Sequence, residues 1–199
     1  MRRRRPLLVA LAVAACAVPG AAAIGQEVRT QDNVAVAVTE TNGDRAFDFS
    51  WEVIRQKRGD VDSRNVANAA ARCTDCRATA IAFQIILAWG DVGAIVPRNQ
   101  AVAINDQCTS CVVYAGARQF VRVVDEPAQF SEEGREVLAD VRNKLRAIES
   151  ADLTVDEQIA IIEAQEARVV RVLTEEVVPT DGDGTATVEA RTYREADDG

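Results

Sequence analysis

The chain has 199 residues, a net charge of −8 and no histidine. Nucleic acids and anionic membrane surfaces bind basic faces, so an acidic chain argues against both as partners. The lack of histidine excludes a Ser-His or Cys-His catalytic couple and the His-Glu-x-x-His zinc site of metalloproteases. Because no pair of carboxylates stands out for acid–base work either, we expect a protein that is not an enzyme.

Residues 1–23 have the pattern of a cleavable signal peptide. Four arginines at 2–5 precede a short apolar stretch at 7–18, and three alanines at 21–23 supply a small-residue cleavage site. The apolar stretch is too short to span a bilayer, and no other segment is long and apolar enough for a transmembrane helix. We therefore expect a secreted protein whose mature chain begins at Ile24.

Cys16 offers an alternative to this secreted form. The residues before it, Val13-Ala14-Ala15, resemble a lipoprotein box, in which Cys16 would be lipidated and would anchor the protein to a membrane. Cleavage after Ala23 would instead remove Cys16 and lower the net charge from −8 to −12. The sequence leaves both outcomes open.

A repeated motif, Asn-x-Ala-x-Ala, organises residues 24–130. Its copies begin at Asn33, Asn65 and Asn99, and a turn signal follows each copy, at 41–44, 73–76 and 108–111. In the first turn, Asn42-Gly43 is the strongest short signal of a β-hairpin. The runs after the turns alternate like half-buried strands, as in Phe47-Asp48-Phe49. The repeat therefore predicts three antiparallel β-hairpins, with about six strands in all.

Residues 131–178 have a helical pattern instead. Ser131, followed by two glutamates, is typical of a helix start, and 154–157 (Thr-Val-Asp-Glu) forms a capping box. The short link between the two predicted helices indicates an antiparallel helical hairpin, which makes the fold class α+β. The apolar face of each predicted helix packs on the other helix and on the sheet, or it forms a coiled-coil surface for oligomerisation or for a partner. The acidic tail at 179–199 has little to bury and is predicted to be disordered.

Four cysteines lie at turns of the predicted hairpins: Cys73, Cys76, Cys108 and Cys111. An even number of cysteines in an exported protein indicates disulfides, whose connectivity within or between the turns stays open. Alternatively, two hairpin tips that each carry Cys-x-x-Cys can present four thiolates to one zinc ion, as in a zinc ribbon. Thiol redox catalysis is a third reading, although it usually relies on a helix N-terminus to lower the thiol pKa.

The cysteine pairs and their surroundings resemble a known module. Cys-Thr-Asp-Cys at 73–76 and Cys-Thr-x-Cys at 108–111, each after Asn-x-Ala-x-Ala, are similar to a cysteine-paired extracytoplasmic module of actinobacterial envelope proteins. The resemblance covers residues 31–178. In other proteins this module is attached to putative peptide zinc metalloproteases, but this chain lacks the histidines and transmembrane helices of the protease part. The resemblance thus implies a location and a shared fold without an activity.

These observations predict a secreted, disulfide-stabilised, non-catalytic binding or structural protein of the cell envelope, without a cofactor. Its partner is an unknown protein or another envelope component, and residues 131–178 offer a surface for oligomerisation. The alternative function is a small zinc-binding or thiol-redox module associated with envelope peptide processing.

Overall fold

The computed structural model describes residues 29–180 and 191–196, so the predicted signal peptide and Cys16 lie outside it. Within the described ranges the chain forms nine strands and two α-helices. In chain order these are β1 (Arg29–Thr39), β2 (Arg45–Gln56), β3 (Gly59–Ala71), β4 (Arg77–Trp89), β5 (Val92–Asn105), β6 (Val112–Val124), β7 (Ala128–Phe130), α1 (Glu132–Ala147), α2 (Val155–Glu175), β8 (Val177–Pro179) and β9 (Arg191–Ala196).

The prediction of antiparallel hairpins is wrong, because the six long strands form parallel sheets. One sheet has the order β1-β3-β5 and the other contains β2-β4-β6. Strands that follow each other in the chain therefore lie in different sheets, and each strand pairs with its equivalent one repeat later. Asn33, Asn65 and Asn99 occupy the same register position. Each copy of the repeat is one coil of a three-coil solenoid.

The turns after β1, β3 and β5 show why no hairpin forms. A type I′ hairpin turn needs positive φ at both central residues, but the first turn has it only at Gly43, with φ 79°. The equivalent residues Asp75 and Ser110 also have positive φ, 57° in both cases. The Gly43 N–H donates to the oxygen of Thr74 at 2.9 Å. The turns thus stack on one another, and each carries the chain to the opposite sheet.

Replacing Ser110 by glycine should stabilise the third turn. An L-residue with positive φ costs about 1–2 kcal/mol, and the extra entropy of glycine in the unfolded chain offsets part of the gain. We expect Ser110→Gly to raise the free energy of unfolding by about 0.5–1 kcal/mol, measured by urea denaturation with the disulfides intact. Thr109→Gly, one residue earlier and without positive φ, is the control and should be destabilising. Equal losses for the two variants would contradict this interpretation.

Small side chains fill the space between the two sheets. Alanines of β1, β3, β4 and β6 form one buried cluster: Ala35, Ala37, Ala67, Ala69, Ala78, Ala80, Ala82 and Ala117. A second cluster contains larger residues at the opposite end of the strands, among them Ile54, Val61, Ile86 and Val121. Because strand side chains alternate between two faces, the alanines of each strand point into the coil and their neighbours point out.

A second core lies between β2-β4-β6 and the helices. Strand β4 is buried on both faces, as expected of a central parallel strand, and its residues Ile81, Phe83, Ile85 and Leu87 pack against the apolar stripes of α1 and α2. The Ser131 Oγ accepts from the Gly134 N–H at 2.9 Å, and the predicted capping box at Thr154 and Glu157 is present. The apolar stripes of the helices are therefore covered by the protein's own sheet.

The outer face of β1-β3-β5 has no helix packed on it among the described residues. Its β1 residues Val34, Val36 and Val38 are 42, 49 and 50 % exposed. Ion pairs lie beside them on the same face, between Arg64 and Asp32 at 2.8 Å and between Arg98 and Asp62. The solenoid thus has one face buried by helices and one open face with a row of valines.

The three remaining strands lie outside the repeat: β7 and β8 form a small separate sheet, and β9 extends the sheet of β6. Strands β7 and β8 pair with each other, and β9 adds an antiparallel strand to β6. Strand β9 lies within the tail predicted to be disordered, while residues 181–190 and 197–199 of that tail lie outside the described residues. No helix in the described ranges has the length and apolar character needed to cross a membrane.

Candidate functional site

The turns of the second and third coils bring the four cysteines together on one edge of the solenoid, between the two sheets. Cys73 and Cys76 form one close pair at disulfide distance, with 6.0 Å between their Cα atoms. Cys108 and Cys111 form the other, with a Cα separation of 5.8 Å. Both separations lie within the usual range for disulfides. Of the pairings that the sequence left open, the structure therefore has the two that lie within a turn.

The two cysteine pairs also lie against each other. The Sγ atoms of Cys73, Cys76 and Cys111 are all within 4.8 Å of one another. The Cys108 Sγ is 2.7 Å from the backbone oxygen of Cys73, and the Cys111 Sγ is 3.0 Å from the same oxygen. All four sulfur atoms thus belong to one group, which we call the cysteine cluster.

Backbone hydrogen bonds between the turns hold the cysteine cluster in place. Thr74 and Thr109 form a parallel β-bridge, and the Asp75 N–H donates to the oxygen of Thr109 at 2.9 Å. Cys73 and Cys76 are only 7 and 2 % exposed, whereas Cys108 and Cys111 are half-buried. The cluster therefore has a buried side against the solenoid interior and a side that solvent reaches.

An asparagine ladder lies inside the solenoid, and sequence reasoning gave these residues no role. The Asn33 Nδ2 donates to the Oδ1 of Asn65 at 2.7 Å, and the Asn65 Nδ2 donates to the Oδ1 of Asn99 at 2.8 Å. Each amide also donates to a backbone oxygen of the opposite sheet. The acceptors are Phe83, Ala82 and Ala117, at 2.9, 3.1 and 3.0 Å. The ladder therefore ties the two sheets together.

A second ladder runs along β2, β4 and β6. Glu52, Gln84 and Gln119 share a register position. The Gln84 Nε2 donates to the Glu52 carboxylate at 2.8 Å, and the Gln119 Nε2 donates to the Oε1 of Gln84 at 2.5 Å. The sequence signal for the first ladder is the recurrence of asparagine at one position of every repeat, and for the second it is a polar residue, Glu52, Gln84 or Gln119, at one position of every repeat. Their amides are engaged in structural hydrogen bonds, which argues for a scaffolding role.

A buried ion pair joins the helices to the solenoid. The Arg118 Nε on β6 lies 3.0 Å from the Oε2 of Glu166 on α2, and the two side chains are 10 and 6 % exposed. The Arg118 Nη1 also donates to the oxygen of Ala117. Each charge compensates the other, because a buried ion without a charge partner carries a large desolvation cost. The sequence gave no sign that these two residues would meet.

A cavity of about 260 Å³ lies where the link between the helices meets the sheet. Arg45 and Arg77, in register on β2 and β4, line it. The Arg45 Nη1 donates to the Asp152 carboxylate at 3.0 Å, and the Arg77 Nη1 donates to the oxygen of Leu153 at 2.6 Å. Both guanidinium groups thus hold the segment between α1 and α2 against the sheet, which is a structural role.

Asp140 on α1 connects the two helices and makes their packing sensitive to acid. Its carboxylate accepts from Arg168 of α2 at 2.6 Å and pairs with Lys144 at 3.1 Å. These two cations, Arg168 foremost, hold the pKa of Asp140 below its ordinary value of 3.8. Because the folded pKa is the lower one, the stabilisation is present above the unfolded pKa and is lost as the pH falls through the folded pKa.

We therefore expect Asp140→Asn to weaken the acid sensitivity of folding. The variant has no charge to lose, so its free energy of unfolding should fall less than that of the wild type between about pH 5 and pH 2. Urea denaturation across this range measures the difference. Glu136→Gln, which changes an exposed carboxylate on the same helix, is the control. If both variants followed the wild-type pH profile, Asp140 would have no part in the acid sensitivity.

Comparisons of the chain with protein-family models, with curated proteins and with solved structures gave no match. Three residues of the cysteine cluster, Cys73, Cys76 and Cys111, form the group of potential metal ligands found among the described residues. The cysteine cluster is therefore the candidate functional site of the described part of the chain.

Proposed function

We propose that the protein is a secreted, disulfide-stabilised, non-catalytic binding or structural protein of the cell envelope. The observation that carries the proposal is the pair of cysteine turns, each with its sulfur atoms at disulfide distance, which stack on one edge of the solenoid. Disulfides persist in oxidising compartments outside the cytoplasm. The signal-peptide pattern at 1–23 and the resemblance to an envelope module support the same location.

The disulfides brace the turns of the solenoid. A link across a short loop removes little entropy from the unfolded chain, so each contributes less global stability than a long-range disulfide. Its local effect is greater, because it holds the positive φ of Asp75 or Ser110 within the turn. This use of cysteines suits a rigid scaffold. The open face with Val34, Val36 and Val38 supports a binding role toward a protein partner, since rows of exposed apolar residues are common at interaction sites.

Mass spectrometry of the exported protein tests this proposal. We expect a mature chain that begins at Ile24, resists alkylation before reduction and takes up four alkyl groups afterwards. Peptide mapping should join Cys73 to Cys76 and Cys108 to Cys111. Four free thiols on the exported protein would overturn the disulfide-stabilised function. A lipid adduct on Cys16 would support the envelope location but would replace the secreted form by an anchored one.

A second candidate is a small zinc-binding or thiol-redox module associated with envelope peptide processing. The closeness of the sulfur atoms in the cysteine cluster favours it. Of the two activities, thiol-redox catalysis has less support than zinc binding, because both cysteine pairs lie in turns between strands, where no helix dipole lowers the thiol pKa. Reduction of insulin by dithiothreitol, with and without the protein, tests for thiol-redox catalysis. Acceleration that Cys73→Ser abolishes would support a redox module, and an unchanged rate would reject it.

A further inference from the structure

We propose that the cysteine cluster binds one Zn²⁺ ion as four thiolates when its two disulfides are reduced, and none when they are oxidised. This deepens the second candidate function, on which it rests, because it makes zinc binding depend on the redox state of the four thiols.

The sulfur positions fit a tetrahedral zinc ion. A Zn–S distance of about 2.3 Å places the sulfur atoms of a tetrahedral site about 3.8 Å apart. The Sγ atoms of Cys73, Cys76 and Cys111 already lie within 4.8 Å of one another. Once a disulfide is cut, its two sulfur atoms separate to the tetrahedral spacing by side-chain rotation. Three ligands from two coils are thus assembled without a change in the backbone.

Cys108 supplies the fourth ligand. Its Sγ lies 2.7 Å from the backbone oxygen of Cys73, the oxygen that the Cys111 Sγ also contacts at 3.0 Å. Cys108 and Cys111 lie in one turn with Cα atoms 5.8 Å apart, so reduction frees the Cys108 sulfur to turn toward the same ion. Structural zinc sites of this kind close with four protein ligands.

The backbone holds the site independently of the disulfides. The two turns are joined by hydrogen bonds from the Asp75 N–H to the Thr109 oxygen at 2.9 Å and from the Thr109 N–H to the Cys73 oxygen at 3.3 Å. The Val112 N–H donates to the oxygen of Cys76 at 2.9 Å. Because these bonds do not involve sulfur, the ligands of the reduced form stay close together.

The two forms interconvert by thiol–disulfide exchange. Reduction of both disulfides takes four electrons and four protons from two equivalents of a dithiol reductant, each of which is oxidised to a disulfide. Zinc then displaces the four thiol protons, since only thiolates bind the metal. Oxidation of the complex by two equivalents of an external disulfide reforms the two S–S bonds and releases Zn²⁺, and each external disulfide takes up two electrons and two protons and becomes a dithiol. Zinc binding is therefore coupled to the thiol redox state.

Metal titration of the full mature chain tests the proposal. The reduced protein, kept under anaerobic conditions, should bind one Zn²⁺ per chain and should develop thiolate-to-metal charge-transfer absorption with Co²⁺. The oxidised protein should bind neither ion. Bound zinc should also protect all four thiols from alkylation. Equal binding by both forms, two ions per chain or no binding by the reduced form would overturn the proposal.

Variants assign the ligands. Cys76→Ser and Cys111→Ser, one from each turn, should each weaken zinc binding by at least about 100-fold, since loss of a ligand costs more than loss of a supporting group. Thr74→Ser and Thr109→Ser are matched controls, because they lie in the same turns and offer no thiolate. If Cys111→Ser bound zinc as tightly as the wild type, the shared site between the coils would be rejected.

Circular dichroism keeps the test decisive if reduction unfolds the chain. In that case zinc should restore the strand signal of the reduced wild type but not of Cys111→Ser, and failure to restore it would contradict the proposal. Failure here is distinct from failure of the proposed function. Disulfide mapping of the exported protein addresses the oxidised form, and its result does not depend on the metal titration.

Discussion

Replacing Glu166 by alanine should lower the free energy of unfolding by about 3–5 kcal/mol, because it leaves the guanidinium of Arg118 buried without its charge partner. The two side chains are 10 and 6 % exposed and lie 3.0 Å apart, so solvent cannot replace the lost carboxylate. The pair also joins α2 to β6. We therefore expect local opening to increase most at the contact between α2 and β6.

A double substitution separates the cost of a lone charge from the value of the pair. Arg118→Met with Glu166→Leu removes both charges and keeps apolar volume, so it should recover most of the stability lost in Glu166→Ala. Asp152→Ala removes the partner of Arg45 in a pair that is 63 and 87 % exposed. This control should change the stability by at most about 1 kcal/mol.

Urea denaturation of the wild type and the three variants, with the disulfides intact, measures these differences in the free energy of unfolding. Hydrogen exchange of α2 amides shows where the structure opens. A loss in Glu166→Ala no larger than that in Asp152→Ala would show that Arg118 finds solvent or another acceptor, and it would contradict the assignment of this pair as the link between helices and solenoid.

Replacing Asn65 by leucine should lower the free energy of unfolding by about 3 kcal/mol. Asn65 is fully buried and stands in the middle of the asparagine ladder. The substitution removes three hydrogen bonds, two donated by Asn65 to Ala82 and Asn99 and one accepted from Asn33. Each bond contributes about 1 kcal/mol, and a buried group that loses its partner costs about 1–3 kcal/mol.

The neighbouring Asn68 provides a matched control for Asn65. It lies on the same strand but on the outward face, three residues further on, so Asn68→Leu should change the stability by about 0.5 kcal/mol or less. Thermal and urea unfolding of the two variants gives the comparison, and hydrogen exchange of β3 amides should increase only in Asn65→Leu. Similar losses in the two variants would mean that the ladder adds nothing beyond ordinary strand packing.

The six predicted strands are present, but the prediction of their antiparallel pairing was wrong for an identifiable reason. Alternation in Phe47-Asp48-Phe49 shows that a segment is a strand with two unlike faces, but it carries no information about the direction of the neighbouring strand. Asn42-Gly43 suggested a hairpin because that pair often occupies type I′ turns. The same residues also suit a turn with one positive φ, at Gly43, that leads to another sheet.

Two sequence features pointed toward parallel strands. Ala78 to Ala88 is almost entirely apolar, which is typical of a parallel strand buried on both faces. The repeat also places identical residues, such as Gln84 and Gln119, at equivalent positions, and only parallel, in-register pairing brings these side chains together. In an antiparallel pair the equivalent residues of two copies would not form a continuous ladder.

The number and period of the repeats, the helix start at Ser131 and the capping box at Thr154 could be predicted from the amino-acid sequence, because they follow from residue order over short distances. The matched positions of the cysteines in two turns could be predicted in the same way. The pairing of the strands, the stacking of the two cysteine turns into one cluster and the contact of Arg118 with Glu166 depend on the folded structure. These contacts join residues from about 35 to 50 positions apart, and their partners are selected by the packing of whole coils and helices, which no local pattern encodes.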